Sequence, residues 1–551
     1  MKINKTLISG LVILSVLACG KFDEAVPSGG TYTEDQLKST YELIPSRTDA
    51  SFTGLFSMMG EPNFIFKRTT STRADDFGFI MAAFSNDIEA ADVVLDNNDY
   101  NWFSTCGEYT SRNADYANPY IRYAIAYNQI KVANDIINSF DAATTDAESK
   151  NKLGQAHAMR AFDYLYLAPS FQFTYLAAKD QPCVPIVTEK TTDFANNPRA
   201  TVEKVYELII EDLNAAEQFL GGSDIPARTN KSRIDLSVVY GLRARANLVM
   251  GKWEEAAEDA GKALEGYTPA SIEEVSQPTF KDISEHNWIW GIDMVSSAIN
   301  AQPDGYYATS SSWLRSFSGD GYSAGTATYA RINNILYDLI PDTDVRKGWW
   351  VDKNLESPLL EKVTWNGTSG KALAQLTIEN VKEPFTPYTN VKFGMAQVGM
   401  SVNDDDFPLM RAEEMILIRV EALYRAGSES EAKNLLKDFI TTYRDPSYTV
   451  PSESERTFLN EVWFQRRVEL WGEGFGMSDI MRLQKNVVRF HDGKESIVPE
   501  AFRFNIAYND PWLLMRFCTS ETNTNFGIQD NTGGEQPTSG QNGELNDGVT
   551  D

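Results

Sequence analysis

Histidine is nearly missing from this chain. There are three in 551 residues, His157, His286 and His491, each isolated in sequence. That leaves imidazole-based catalysis or zinc binding little to build on. Cysteine is almost as scarce, with four residues and no C-x-x-C spacing, which argues against a disulfide framework or a thiolate metal site. Positive charge is also in deficit: 50 Lys and Arg stand against 77 Asp and Glu, a formal charge of −27. So acidic a surface disfavours nucleic acid and anionic lipid as partners and favours solubility. No apolar run after residue 18 reaches the ~20 residues that span a bilayer as a helix. Neither a cofactor nor a metal is expected.

What the chain does have begins at its start. Lys2 and Lys5 precede the apolar run from Leu7 to Ala18, which is too short to span a bilayer and reads as a secretory signal over 1–18. The run ends in Val16-Leu17-Ala18-Cys19, which resembles the lipobox of bacterial lipoproteins, where that cysteine is acylated and becomes the first residue. The alternative is a signal peptide followed by an incidental cysteine. Two or more acyl chains on Cys19 would hold the protein on a membrane without spanning it. Behind it, Lys21, Asp23 and Glu24 resemble the signal that sends some lipoproteins to the outer face of the outer membrane. Residues 19–36, with Pro27, Gly29 and Gly30, suit a tether.

Beyond the tether, helical periodicity dominates. Residues 119–140 and 152–168 read as helices, and in 201–220 the apolar residues Val202, Val205, Ile209, Leu213, Ala216 and Leu220 share one face, with Thr201 as N-cap. Gly251, Trp253, Ala256, Ala260, Ala263 and Leu264 fall at the offsets of the second half of a tetratricopeptide unit. Gly427, Ala432, Leu436, Phe439 and Ile440 repeat that pattern far downstream, so the units are not tandem. Between them, from about 266 to 400, lies a stretch rich in Gly, Pro, Ser and aromatics with few helical periods. The end of the chain, 528–551, is polar and poor in apolar residues, and is expected to be a flexible tail.

Several segments, taken in order, resemble a known family. They are the lipobox; "MRAFDYLYL" at 159–167; "CVPIVTE" at 183–189; "PRATVEKVYELIIEDLNAAEQFL" from 198; "RTNKSRIDLSVVYGLRARANLVMGKWEEA" from 228; "MRAEEMILIRVEALYRAG" from 410; "QRRVELWGEGFGMSDIMR" from 465; and "ETNTNFGIQDN" from 521. Their sequence along the chain is similar to that of the SusD/RagB outer-membrane lipoproteins. The resemblance implies an all-α, mainly helical SusD-like fold over 37–527, with TPR-like helix pairs supporting a loop-rich insertion. It also implies a non-catalytic role: capture of a nutrient, an oligosaccharide or else a peptide, and hand-over to a SusC-like TonB-dependent transporter. Two departures stand out, Gln465 where the family usually has glutamate, and Gly476 where it has arginine.

A rival reading is a surface glycosidase, since Glu414, Glu421, Glu469, Glu473 and Asp479 gather in three helical segments and glycoside hydrolysis needs two carboxyl groups. These acids sit among Arg411, Arg466, Arg467 and Arg482, which suits ion pairs between packed helices instead. Asp404, Asp405 and Asp406 could offer oxygens to calcium, but lack the glycine and distal glutamate of an EF-hand loop. Aromatic residues are more telling, because sugar C–H faces stack on rings while hydroxyl groups need polar partners at the edge. Asn101 and Trp102 in one loop, and Tyr306, Tyr307, Trp313, Asp320 and Tyr322 in the irregular middle, are the candidate ligand-binding residues. They occupy the places from which, by the resemblance, SusD-like proteins draw their binding surface. For any single ring, burial in a loop core stands as an equal alternative.

Overall fold

The computed structural model describes residues 45–68, 73–96, 102–294, 313–319, 324–401 and 404–551. It divides into Met1–Ser51 and Phe52–Asp551, and the helical scaffold belongs to the second unit. Cys19 and the segment 1–36 lie outside the described residues.

The fold is mainly helical. Its principal helices are α1 (Gly78–Glu89), α2 (Ala117–Ser139), α3 (Ala147–Phe171), α4 (Val202–Leu220), α5 (Leu236–Met250), α6 (Trp253–Ala263), α7 (Ala412–Arg425), α8 (Glu429–Tyr443), α9 (Phe458–Glu469) and α10 (Gly476–Leu483). Their starts have local causes. Asp146 accepts from Ser149 N, Thr201 from Lys204 N and Asp235 from Val238 N, each satisfying an amide that the first helical turn leaves open. Thr201 is thus the N-cap that the sequence predicts.

Two helix pairs share one turn chemistry. Between α5 and α6 the chain reverses at Gly251 with φ +75°, and between α7 and α8 at Gly427 with φ +91°, a left-handed conformation that glycine adopts without a Cβ penalty. Ala256, Ala260, Ala263 and Ala432 are fully buried where the paired helices approach. Although the pairs are far apart in sequence, α6 packs directly on α7. Helices α2, α3 and α4 pack in succession and α5 lies against α4, so the repeats and the preceding helices form one scaffold.

The irregular middle joins that scaffold through short antiparallel strand pairs. Strand β1 (Val93–Val94) pairs with β3 (Arg331–Ile332). Strand β2 (Trp288–Ile292) pairs with β4 (Phe407–Arg411), and α7 begins at the next residue. Trp288, Trp290, Trp349 and Trp350 are buried in the same core as the helices, so much of the insertion's aromatic content serves packing.

One expectation is corrected at the carboxyl end. Segment 528–551 is not a free tail: Asp547 pairs with Arg467 at 2.7 Å, Asn460 donates to Gly548 O at 2.9 Å, His491 Nε2 meets Thr550 O at 2.8 Å, and Val549 is buried. Asp547 also accepts from Val549 N and Thr550 N. The segment is held by polar groups, which a count of apolar residues does not register.

Candidate functional site: the aromatic loops and the charges behind them

The acid-rich motifs resolve into a buried network. Glu469, at the end of α9, takes both carboxylate oxygens to Arg444 at 2.8 and 2.9 Å and meets Arg346 and Arg411 at 3.2 Å. Glu413 pairs with Arg411 at 2.9 Å and Arg444 at 3.1 Å; Glu473 pairs with Arg411 at 2.8 Å and Lys392 at 2.7 Å. Burial alone would raise the Glu469 carboxyl, but Arg444 first, then Arg411 and Arg346, hold it well below the usual range. Burial pushes the Lys392 ammonium down to about 8 against the opposing pull of Glu473. A carboxylate so surrounded cannot act as the proton-donating acid that glycoside cleavage requires. Further out, Glu414 pairs with Arg245, and Asp479 with both Arg466 and Arg482.

The two departures from the family pattern fit this network. Gln465 accepts from Arg346 Nη2 at 2.5 Å and donates to Glu461 at 2.7 Å, so its amide serves both a donor and an acceptor. Gly476 N donates to Asp87 at 2.8 Å, and a Cβ there would lie 2.9 Å from that of Ala90.

The structure brings the two candidate aromatic loops together. Trp102 is half-buried, with the Arg73 guanidinium 4.8 Å from its ring centre, and Arg73 is itself held by Asp75 through two bonds of 2.9 Å. The indole Nε1 of Trp102 has no hydrogen-bond partner among the described residues. Its neighbour Phe103 is fully buried, edge-on to Phe84 of α1 at 5.1 Å and to Trp313 at 5.2 Å. Trp313 therefore links the middle segment to the first loop.

That placement corrects one expectation. The Trp313 side chain is 0% exposed, so its ring is spent on packing and has no face left for a dissolved sugar. Asn101, Tyr306, Tyr307, Asp320 and Tyr322 lie outside the described residues. Trp102 is the remaining described candidate, and it keeps part of its ring accessible.

The acidic turn anchors both ends of the middle loop. Asp406 accepts from Met294 N and Ile283 N at 2.8 Å, while the Asp406 carbonyl accepts from the buried Arg315 at 2.5 Å. Asp405 accepts from Ala396 N at 2.7 Å. These carboxylates serve backbone amides, and burial lifts that of Asp406 to about 6, its amide bonds opposing the rise. Among the described residues no cluster of His, Cys, Asp and Glu could hold a metal ion. Sequence reasoning missed Arg73 and Phe103; Arg73 and Asp75 lie well upstream of Trp102 in sequence, and nothing local shows that the three meet.

Comparison with known proteins places this architecture. A model described as "Starch-binding associating with outer membrane" matches residues 76–248, and the SusD family model matches 281–544. The chain belongs to the SusD family. A curated SusD-like protein of Formosa agariphila, P38, is 23% identical over 365 residues, 61% of this chain and 67% of that one. Among solved structures, a SusD-like carbohydrate binding protein from Bacteroides vulgatus is 24% identical with a TM-score of 0.67, covering 88% of this chain and 97% of its own. A laminarin binding SusD-like protein is 18% identical with a TM-score of 0.60, covering 89% and 99%. These likenesses carry the SusD fold across 88% and 89% of the chain. No helix among the described residues is long and apolar enough to cross a membrane.

Proposed function

We propose that this SusD-family chain is a surface lipoprotein, acylated at Cys19, that captures an oligosaccharide without cleaving it and passes it to a SusC-like TonB-dependent transporter in the outer membrane. The observation that carries the ligand reading is Trp102: a part-exposed residue whose ring is held by the Arg73 guanidinium 4.8 Å from its centre and whose chain neighbour Phe103 is locked in the core. A sugar ring stacks on such a face while its hydroxyls bond at the edge, and a ring already immobilised loses little conformational entropy on binding. The laminarin binding neighbour supports a β-glucan as the first ligand to try. Trp313 acts in this reading as the packing contact that ties its own segment to Phe103, the chain neighbour of Trp102.

The test is calorimetry of residues 20–551 with laminarin-derived and starch-derived oligosaccharides, alongside thin-layer analysis of the same incubations. Saturable binding without new products is expected. Product formation would restore the glycosidase reading, and binding of peptides but no glycan would move the chain to peptide capture.

A further inference from the structure

A cavity of about 140 Å³ lies inside the helical scaffold, away from the aromatic loops, between α1, α3, α4, α5, α7 and α10. An apolar cavity of ~150 Å³ is large enough to take a benzene ring. Its walls are mostly hydrocarbon, with the rings of Phe79, Phe162, Tyr166, Tyr175, Tyr206 and Phe475 among them. Phe475 itself sits between two cations, 5.0 Å from the Arg245 guanidinium and 5.9 Å from that of Arg466.

Three residues lining this space each hold a buried polar atom without a hydrogen-bond partner among the described residues: Thr174 Oγ1, Arg466 Nη1 and Arg482 Nη2. Thr174 stands at the head of the short helix Tyr175–Ala178, yet its hydroxyl does not cap that helix. The two arginines spend their other nitrogens on carboxylates, Arg466 on Asp479 at 2.8 Å and Arg482 on Asp479 at 2.7 Å and Glu421 at 2.9 Å. Buried polar groups in folded proteins are paired almost without exception, so three orphans on one cavity call for an occupant. The charges of the lining are already matched, since Arg245 also has its carboxylate partner in Glu414. A negatively charged occupant would therefore meet Glu414, Glu473 and Asp479 with no surplus cation to repay its desolvation.

We propose that this cavity is a second binding site, for a neutral ring-bearing small molecule with a hydrogen-bond-accepting oxygen, such as an aromatic ketone or amide. The ring fills the hydrocarbon part, and the oxygen accepts from the unused guanidinium N–H groups and the Thr174 hydroxyl. This site is independent of the glycan reading, which rests on the loops.

The experiment titrates acetophenone, toluene and benzoate into the full mature chain by calorimetry. Acetophenone should bind saturably and about tenfold more tightly than toluene, the worth of one charge-assisted hydrogen bond, and benzoate should bind more weakly than acetophenone. Ser478→Trp, which puts an indole into the cavity, should abolish acetophenone binding. Thr174→Val, which removes an unpartnered hydroxyl at nearly constant shape and should leave the melting temperature unchanged or higher, should weaken acetophenone but not toluene. Absence of saturable acetophenone binding, ordered water as the only occupant in crystals soaked with it, or equal affinity in the parent and in both variants would overturn the proposal. Equal affinity for toluene and acetophenone would overturn its polar half.

Discussion

Around Glu469, four cations and three carboxylates lie fully or nearly fully buried, and each finds opposite charge within 3.2 Å. Around Trp102, by contrast, one guanidinium lies over the ring of a residue that stays part-exposed. The first region is closed off from solvent, and the second keeps a ring partly open to it. The difference teaches where to look for ligands: not where charge is densest, but where a fixed ring stays open to solvent. Trp102 and Trp313 repeat the contrast at smaller scale, two indoles joined through Phe103, one of them buried and the other offered.

The sharpest way to break the first region is Glu469→Ala. Removing the one carboxylate shared by Arg346, Arg411 and Arg444 leaves the buried cations in excess over the carboxylates that remain beside them, and should cost about 3 to 5 kcal/mol in denaturant unfolding. A loss under ~1 kcal/mol, the scale of a surface pair, would show that the network is solvated.

Trp313→Ala tests the division between the two indoles. As a fully buried ring it should cost roughly 3 to 5 kcal/mol and lower the melting temperature. An unchanged melting temperature with lost glycan binding would return Trp313 to the ligand site.

Helix α1 carries two buried carboxyls with opposite pH behaviour. Burial pushes Asp87 up to about 7, its bonds from Gly474 N and Gly476 N opposing the rise; Glu89, despite burial, is brought down to about 2 by Arg112 and Arg122. The Glu89 contribution is therefore present above the ordinary value of 4.5 and lost as pH falls through about 2. Asp87 does the reverse, favouring the folded state at low pH and weakening it as pH rises from 3.8 towards 7. Each group can change stability by at most roughly 1.4 kcal/mol per pH unit within its window. In unfolding curves taken across pH, Glu89→Gln should flatten the acid limb and Asp87→Asn the limb approaching neutrality.

Ala256→Leu should overpack the α5–α6 pair by about 1 to 3 kcal/mol, because that residue is fully buried between close helices. Unfolding within error of the parent would mean that the pair can open to admit the larger side chain. Smallest in stability is Trp102→Ala, expected to cost well under the Trp313 change while weakening glycan binding by about 1 to 3 kcal/mol. Calorimetry and thermal melts on the same preparation separate the two effects.

Much of the scaffold was legible because its signals are local. Periodicity located α4 to within a residue, Thr201 capped it as expected, and Gly251 and Gly427 marked both reversals. The candidate site was legible only in part. An aromatic run shows that rings are present, but which ring is buried depends on contacts such as Phe103 with Trp313, over two hundred residues apart in sequence. The tail misled for a related reason: Asp547 and Arg467 meet across eighty positions, and composition carries no trace of that pairing.

By itself the sequence determined several of the helices, the Thr201 cap, the acidic character and the family, since each of these is set within one or two turns of chain, by composition or by the order of motifs. Only the tertiary structure decided that α6 lies on α7, that Glu469 is shared by three arginines, that Trp313 is closed off while Trp102 is not, and that Thr174, Arg466 and Arg482 line one cavity. Burial and pairing belong to groups brought together from distant parts of the chain, and a local pattern cannot specify which of many equivalent partners will arrive.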